Sequence, residues 1–319
     1  MIRSFIHTGG DKVRETSDAD EMARVLKARK HTIWIDFEDP TDRELGYLTS
    51  KFGFHPLTYE DVMHENQRPK IDDYDDYAFI VVRGVGMDGL ENPPQLNIYL
   101  SKTFIVTVNR KPILGETEVI AKVRRNPLIL KRGPDFVAYT LLDAVVDEFF
   151  PVLQELDDKL DAVEDKIFVK TDVKTIAKLF AIKRRVIAVR RVAWPMRDIL
   201  NILARRDFHF IKAENAIYFR DVYDHLVRIS EMTDTLRDMI SSGMEGYLSV
   251  ISNNLNVIMK KLTAITALIM VPALIAGIFG MNFDNIPELH DEFGFYWSLV
   301  IMAIAVAATF AYLKMHDWV

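Results

Sequence analysis

Residues 262–280 read LTAITALIMVPALIAGIFG, with no charged side chain. As a helix, a run of that length is about 28 Å long, close to the thickness of a bilayer's hydrocarbon core. A second uncharged run, FYWSLVIMAIAVAATFAYL, occupies residues 295–313. A core helix of a soluble protein would show a polar flank within this length, and neither run does. Both are therefore expected to cross a membrane. Lys260 and Lys261 precede the first span and Lys314 follows the second, while residues 281–294 carry Asp284, Glu288, Asp291 and Glu292 and no Lys or Arg. Basic flanks stay inside, so both termini are expected in the cytoplasm and the acidic loop outside. Tyr296, Trp297, Tyr312 and Trp318 stand near span ends, as an interfacial aromatic belt would.

The rest of the chain is different in kind. With 27% charged residues and a mean hydropathy of +0.03, the protein cannot be membrane spans throughout. A net charge of −6 gives no case for nucleic acid as a partner. There are no cysteines, which excludes disulfides and thiolate metal sites. The first residues, Met1-Ile2-Arg3-Ser4-Phe5, lack the basic-then-apolar pattern of a secretory signal, so the soluble part is expected in the cytosol.

Residues 1–134 mix strand and helix patterns. Residues 32–36 read as a strand, and residues 40–52 as a helix with Thr41 as its cap. Residues 78–83, 95–100 and 103–108 are β-rich, the last two joined by Ser101-Lys102 as in a hairpin. From residue 135 onward the pattern is helical. Residues 135–168 form an acidic helix that Pro151 is expected to kink, and residues 172–203 form a basic one. Together, residues 135–213 make a helical hairpin of opposite charge. The acidic partner beside the basic helix argues against a nucleic-acid role for it.

A third helix runs from residue 214 without proline to Val271. Residues 214–261 would form a cytosolic stalk continuous with the first span at 262–280. An outer loop (281–294), the second span (295–313) and a short cytoplasmic tail (314–319) complete the order. A lone stalk of that length cannot bury its apolar side and should pack against copies of itself. The expected fold class is an α+β cytoplasmic domain, then long helices, then two C-terminal transmembrane helices.

Steps of three and four along that helix pass through Glu245, Ser249, Ser252, Asn256, Met259, Thr263, Thr266, Met270, Ala273 and Gly277. A sealed coiled-coil seam would carry Leu, Ile or Val there. A row of small, hydroxyl, amide and thioether side chains suits either a water-lined pore between copies or close helix packing. For a pore, neutral oxygens such as those of Asn256 or Asn282 would bind the hydration shell of Mg²⁺, which gives up its waters reluctantly, without trapping the ion. Met259 and Met270 would suit a constriction that closes by dewetting.

Gly280-Met281-Asn282 ends the first span, within Pro272-Ala273-Leu274-Ile275-Ala276-Gly277-Ile278-Phe279-Gly280-Met281-Asn282-Phe283. Pro287-Glu288-Leu289 lies in the loop beyond, Gln67-Arg68-Pro69-Lys70 in the soluble part, and Tyr218-Phe219-Arg220-Asp221-Val222-Tyr223-Asp224-His225 on the stalk. These segments resemble the CorA magnesium/cobalt transporter family across nearly the whole chain. The resemblance implies a funnel-shaped homopentamer in the cell membrane. It would conduct hydrated Mg²⁺, with Co²⁺ and Ni²⁺, into the cytosol down the electrochemical gradient. It implies that Gly280, Met281 and Asn282 form the outer mouth, with Glu288 in the outer loop. It maps pore positions onto Asn256, Met259, Leu262, Met270 and Gly277, where the row above prefers Thr263 to Leu262. It also implies gating by intracellular Mg²⁺ between subunits, with Asp221 as the stalk carboxylate. Asp72, Asp73, Asp75 and Asp76 form the obvious acidic cluster for a partner, and a solvated acidic loop is the alternative for them.

Two features depart from the family pattern. The tail Lys314-Met315-His316-Asp317-Trp318-Val319 lacks a run of lysines, and Ala273 lacks a hydroxyl. A Zn²⁺ transporter of the related branch and a non-conducting, membrane-anchored ion sensor or scaffold are the competing readings. No phosphate-binding Gly loop, zinc-protease helix or nucleophile elbow points to an enzyme, and no organic cofactor is expected.

Overall fold

The computed structural model describes residues 1–9, 13–86, 92–169, 173–205, 208–281 and 292–318. The chain divides into two compact units: Met1–Asp165 with Val173–Ser242, and Lys166–Asp172 with Gly243–Val319.

The first unit is built on a seven-stranded sheet. Its strands are β1 (Ile2–His7), β2 (Val13–Thr16), β3 (Thr32–Glu38), β4 (Lys70–Tyr74), β5 (Tyr77–Arg83), β6 (Gln95–Leu100) and β7 (Phe104–Asn109), in the order β2-β1-β3-β7-β6-β5-β4. Among the described residues only β3 and β7 pair in parallel; the other pairs are antiparallel. β6 and β7 form the hairpin that the short Ser101-Lys102 link predicts, closed by a Ser101 N–H donating to the Phe104 carbonyl at 2.9 Å.

Both faces of the central strands are covered, which is why β5, β6 and β7 are almost wholly buried instead of alternating. Helices α1 (Ala19–Ala28), α2 (Asp42–Ser50) and α3 (Pro56–Met63) bring Met22, Leu26, Leu45, Leu48 and Val62 against Ile33, Ile35, Phe37, Val106 and Val108. Thr41 caps α2 as expected, in a reciprocal capping box with Glu44. The opposite face takes α4 (Leu114–Arg125), α5 (Leu128–Arg132) and α6 (Pro134–Asp147). On that side α4 inserts Glu116 beneath the sheet, 2% exposed, beside the wholly buried Asp36 of β3.

The acidic stretch is two helices rather than one kinked helix. α6 ends at Asp147, and α7 (Phe149–Val169) starts after the single intervening residue Glu148. Pro151 has no N–H to give the Asp147 carbonyl, and its ring crowds that carbonyl, so the break falls four residues before the proline. Glu148, at the break, accepts from the N–H groups of Gly115 and, at 3.3 Å, Val85. The basic stretch is one helix, α8 (Val173–Leu203), joined to α7 by the Arg185–Glu155 pair at 3.0 Å.

α9 (Ala216–Phe279) is a single 64-residue helix that starts in the first unit and ends in the second. α10 (Gly294–Met315) completes the second unit. Within that unit, the less exposed residues of α9 from Ala264 onward recur at 264, 267, 268, 271, 272, 275 and 279. Those of α10 recur at 294, 298, 302, 305, 306, 309 and 313. Each helix thus has one sheltered strip at helical spacing.

Candidate metal and pore sites

In the first unit, α6 and the start of α9 run side by side in the same direction. Asp135 fixes the beginning of the run: its Oδ2 accepts from Asn215 Nδ2 at 2.8 Å and from the Lys212 N–H at 2.9 Å. A turn further on, Tyr139 lies 5.0 Å from Tyr218, ring to ring. The Arg132 guanidinium covers both Phe136 (3.6 Å) and Tyr218 (4.6 Å).

The next two turns hold a polar cluster. Asp143 and Asp147 are one helical turn apart on α6, as are Asp221 and His225 on α9. His225 Nδ1 lies 3.1 Å from Asp147 Oδ1 and 3.9 Å from Asp143 Oδ1. At 3.1 Å that nitrogen still makes no aligned hydrogen bond. One ligand atom from each of Asp143, Asp147 and His225 falls within 4.8 Å of the others, the one such group among the described residues.

The electrostatics fit a cation. Burial pushes the Asp143 carboxyl up, Asp147 and Asp221 add repulsion, and His225 offsets part of it. Burial, with Asp143 and Asp221 nearby, pushes the Tyr139 hydroxyl up to about 12. Three carboxylates around one imidazole leave surplus negative charge that a divalent ion would neutralise. Oxygen-rich donors suit a hard ion such as Mg²⁺, and the imidazole also admits a transition ion.

In this neighbourhood the sequence patterns point to Asp221 and not to Asp143, Asp147 or His225 as a ligand. Asp221 is exposed on α9 and lies beside the cluster rather than among its three close ligands. The other predicted carboxylates are elsewhere. Asp72 on β4 pairs with Lys70 at 2.7 Å, Asp73 lies 3.8 Å from His209, and Asp75 is exposed in the turn after β4. Asp76 pairs with Arg29 at 2.9 Å. Within one chain, none of these four joins Asp221 in a metal-capable group among the described residues.

In the second unit, Asn256, Met259, Leu262, Thr263, Thr266, Met270, Ala273 and Gly277 all lie on α9 and are exposed in the single chain. At about 100° per residue, the row from Thr263 to Gly277 falls roughly opposite the sheltered strip through Ala264 and Ile275. Thr263 Oγ1 donates to the Met259 carbonyl and Thr266 Oγ1 to the Leu262 carbonyl, both at 2.9 Å. With their protons turned inward, these hydroxyls keep lone pairs as acceptors. Gly280 and Met281 follow the helix end and are exposed; Asn282 and Glu288 lie outside the described residues.

A sheet domain with a carboxylate–imidazole cluster, a very long helix and two C-terminal helices long and apolar enough to cross a bilayer suggest the class of a membrane protein. Comparison with known proteins agrees. The family described as CorA-like Mg2+ transporter protein matches residues 29–315, and the chain belongs to that family. The cobalt/magnesium transport protein CorA of Thermotoga maritima is 35% identical over 274 residues, covering 84% of this chain and 77% of that protein. The protein of the same name from Methanocaldococcus jannaschii is 26% identical over 290 residues, covering 90% and 91%. The complete structure of the CorA magnesium transporter from M. jannaschii superposes with a TM-score of 0.84 at 23% identity, covering 99% of this chain and 98% of that one. That last likeness establishes the shared fold.

Proposed function

We propose that the chain is a channel-like transporter that admits hydrated Mg²⁺, and also Co²⁺ and Ni²⁺, to the cytosol. The observation that carries this reading is the row on α9 opposite its sheltered strip. A helix in lipid would turn Ile and Leu outward on every free face, whereas this free face presents Thr263, Thr266, Met270, Ala273 and Gly277. Hydrated Mg²⁺ presents water protons outward, and hydroxyls that keep their lone pairs free are matched to them. An interior-negative potential would favour entry by about 4.6 kcal/mol per 100 mV for a divalent charge.

In this reading copies of the chain assemble as a homopentamer in the cell membrane, with α9 lining the path and both termini cytoplasmic. Gly280, Met281 and Asn282 form the outer mouth, with Glu288 beyond it. Asn256, Met259 and Leu262 line its cytosolic part. Regulation by intracellular Mg²⁺ is assigned to Asp143, Asp147 and His225 with Asp221 beside them. A neighbouring copy would supply one of Asp72, Asp73 or Asp75, and Asp75, exposed and free of an ion pair among the described residues, is the least committed.

The test is Mg²⁺ entry into liposomes that hold the purified protein and a Mg²⁺-sensitive dye. Entry that stops with Asn282→Ala and is blocked by hexaamminecobalt, a mimic of the hydrated ion, is expected. Protein that inserts but passes no ion would leave a non-conducting sensor as the better reading.

A further inference from the structure

A groove of about 1710 Å³ opens in the first unit, walled on one side by α8 and on the other by the loops around β5 and the segment before β6. Six arginines line it, Arg68, Arg83, Arg184, Arg185, Arg190 and Arg191, against two carboxylates, Glu155 and Asp198. In a chain of net charge −6 this is a concentrated positive field.

Three of these arginines are not spent on internal partners. Glu155 is engaged by Arg185 at 3.0 Å and also by Lys159. Asp198 has Arg197 at 4.0 Å. Arg68, Arg184 and Arg191 have no ion pair or hydrogen bond among the described residues. Arg83 is held rigidly by neutral oxygens, donating to Asn66 Oδ1 at 3.1 Å and to the Pro93 carbonyl at 2.8 Å. No carboxylate balances it within ion-pair distance, and burial works against its charge. Trp194 also lines the groove, and its buried indole N–H has no acceptor. The acidic helix therefore does not cancel the basic one, as their proximity in sequence implies: α7 meets Arg185 and leaves Arg184 and Arg191 open to the groove.

We propose that this groove is a binding site for a small polyphosphate anion. Guanidinium forks match phosphate oxygens two at a time, and converging donors from two walls favour a compact, highly charged ligand. The volume exceeds what a nucleoside triphosphate needs. A nucleic-acid polymer is disfavoured because its extended backbone would meet the net negative charge of the rest of the chain. The site connects to the long helix: Arg190 Nη1 lies 3.6 Å from Asp234 of α9, and Asp234 Oδ1 has no hydrogen bond. A phosphate that draws Arg190 away leaves that carboxylate to Arg237 alone, whose Nη1 lies 3.7 Å from the same oxygen.

The test is calorimetric titration of the full-length protein in detergent, without Mg²⁺, using ATP and inorganic triphosphate as separate probes. Saturable binding is expected, weakening about tenfold or more in Arg184→Gln and again in the Arg184→Gln/Arg191→Gln double variant. Arg125→Gln, an exposed arginine outside the groove, is expected to bind as the unaltered protein does. Equal affinity for both probes supports recognition of the phosphate chain alone. Tighter ATP binding supports a nucleotide with its base also seated. Absence of binding to either probe, unchanged affinity in the double variant, or tighter capture of a single-stranded RNA oligonucleotide would overturn the proposal. Because the readout is equilibrium binding, it stands or falls separately from Mg²⁺ flux.

Discussion

Under the sheet, Asp36 and Glu116 contend for one region of buried space. Arg3 reaches Asp36 Oδ2 at 2.7 Å, Thr107 Oγ1 donates to Asp36 Oδ1 at 2.7 Å, and Trp34 Nε1 donates to Thr107 at 3.0 Å. Glu116 takes Asn109 Nδ2 on one oxygen and has no partner on the other. Burial, with the neighbouring Asp36 charge, holds the Glu116 carboxyl well above its ordinary value, so the folded chain keeps a proton there that the unfolded chain loses. The contribution to stability is whole below about 4.5, the ordinary glutamate value, and falls as pH rises from there toward the raised folded value. Glu116→Gln keeps the shape and removes the titration. Its thermal midpoint should fall less between acid and neutral pH than that of the unaltered chain; equal slopes would contradict a raised Glu116 carboxyl. At the metal cluster, Asp143→Asn and His225→Ala should each raise the Mg²⁺ concentration needed to protect the chain from protease, by about tenfold. No shift in that concentration would remove the cluster from regulation. Asp221 was legible because it sits in a recognisable string. Asp143 and Asp147 were not, since nothing local tells which acids of an acidic helix meet a histidine 78 positions later.

At the scale of elements, α4 and α6 approach so closely that a Cβ on Gly115 would stand 2.7 Å from the Ala144 backbone carbon and oxygen. Gly115→Ala should therefore cost about 1–3 kcal/mol, read as a lower denaturation midpoint in the full-length protein. A neutral result would mean that α4 shifts freely. The Gly115 N–H also donates to Glu148, at the break between α6 and α7, so one glycine ties three helices together. Sequence patterns located the β6–β7 hairpin, the α2 cap and the two long helices, because apolar period and capping chemistry are local. They placed a kink at Pro151, while the steric conflict acts on the carbonyl one turn earlier and separates two helices. On α9, Thr266→Val keeps the volume and removes the oxygen facing away from the sheltered strip. It is expected to slow Mg²⁺ entry several-fold without loss of assembly; unchanged flux would make the hydroxyl a packing feature.

For the whole molecule, the two C-terminal apolar helices were legible in two uncharged runs. Family membership followed from Gly280-Met281-Asn282 at the end of the first run. The strand order, with its single parallel pair between β3 and β7, was not legible, because pairing between distant strands leaves no local pattern. The arginine groove was hidden for a related reason: its walls come from residues 66–93 and 184–198, and only folding sets them face to face. The absence of cysteine makes the chain a ready background for thiol labelling. The most direct test of the pore reading is Mg²⁺ entry into liposomes measured before and after a water-soluble thiol reagent, with Met270→Cys and Ile269→Cys in parallel. Modification should stop entry through Met270→Cys and leave Ile269→Cys conducting. Block at Ile269→Cys with Met270→Cys unaffected would contradict a water path along this face of α9.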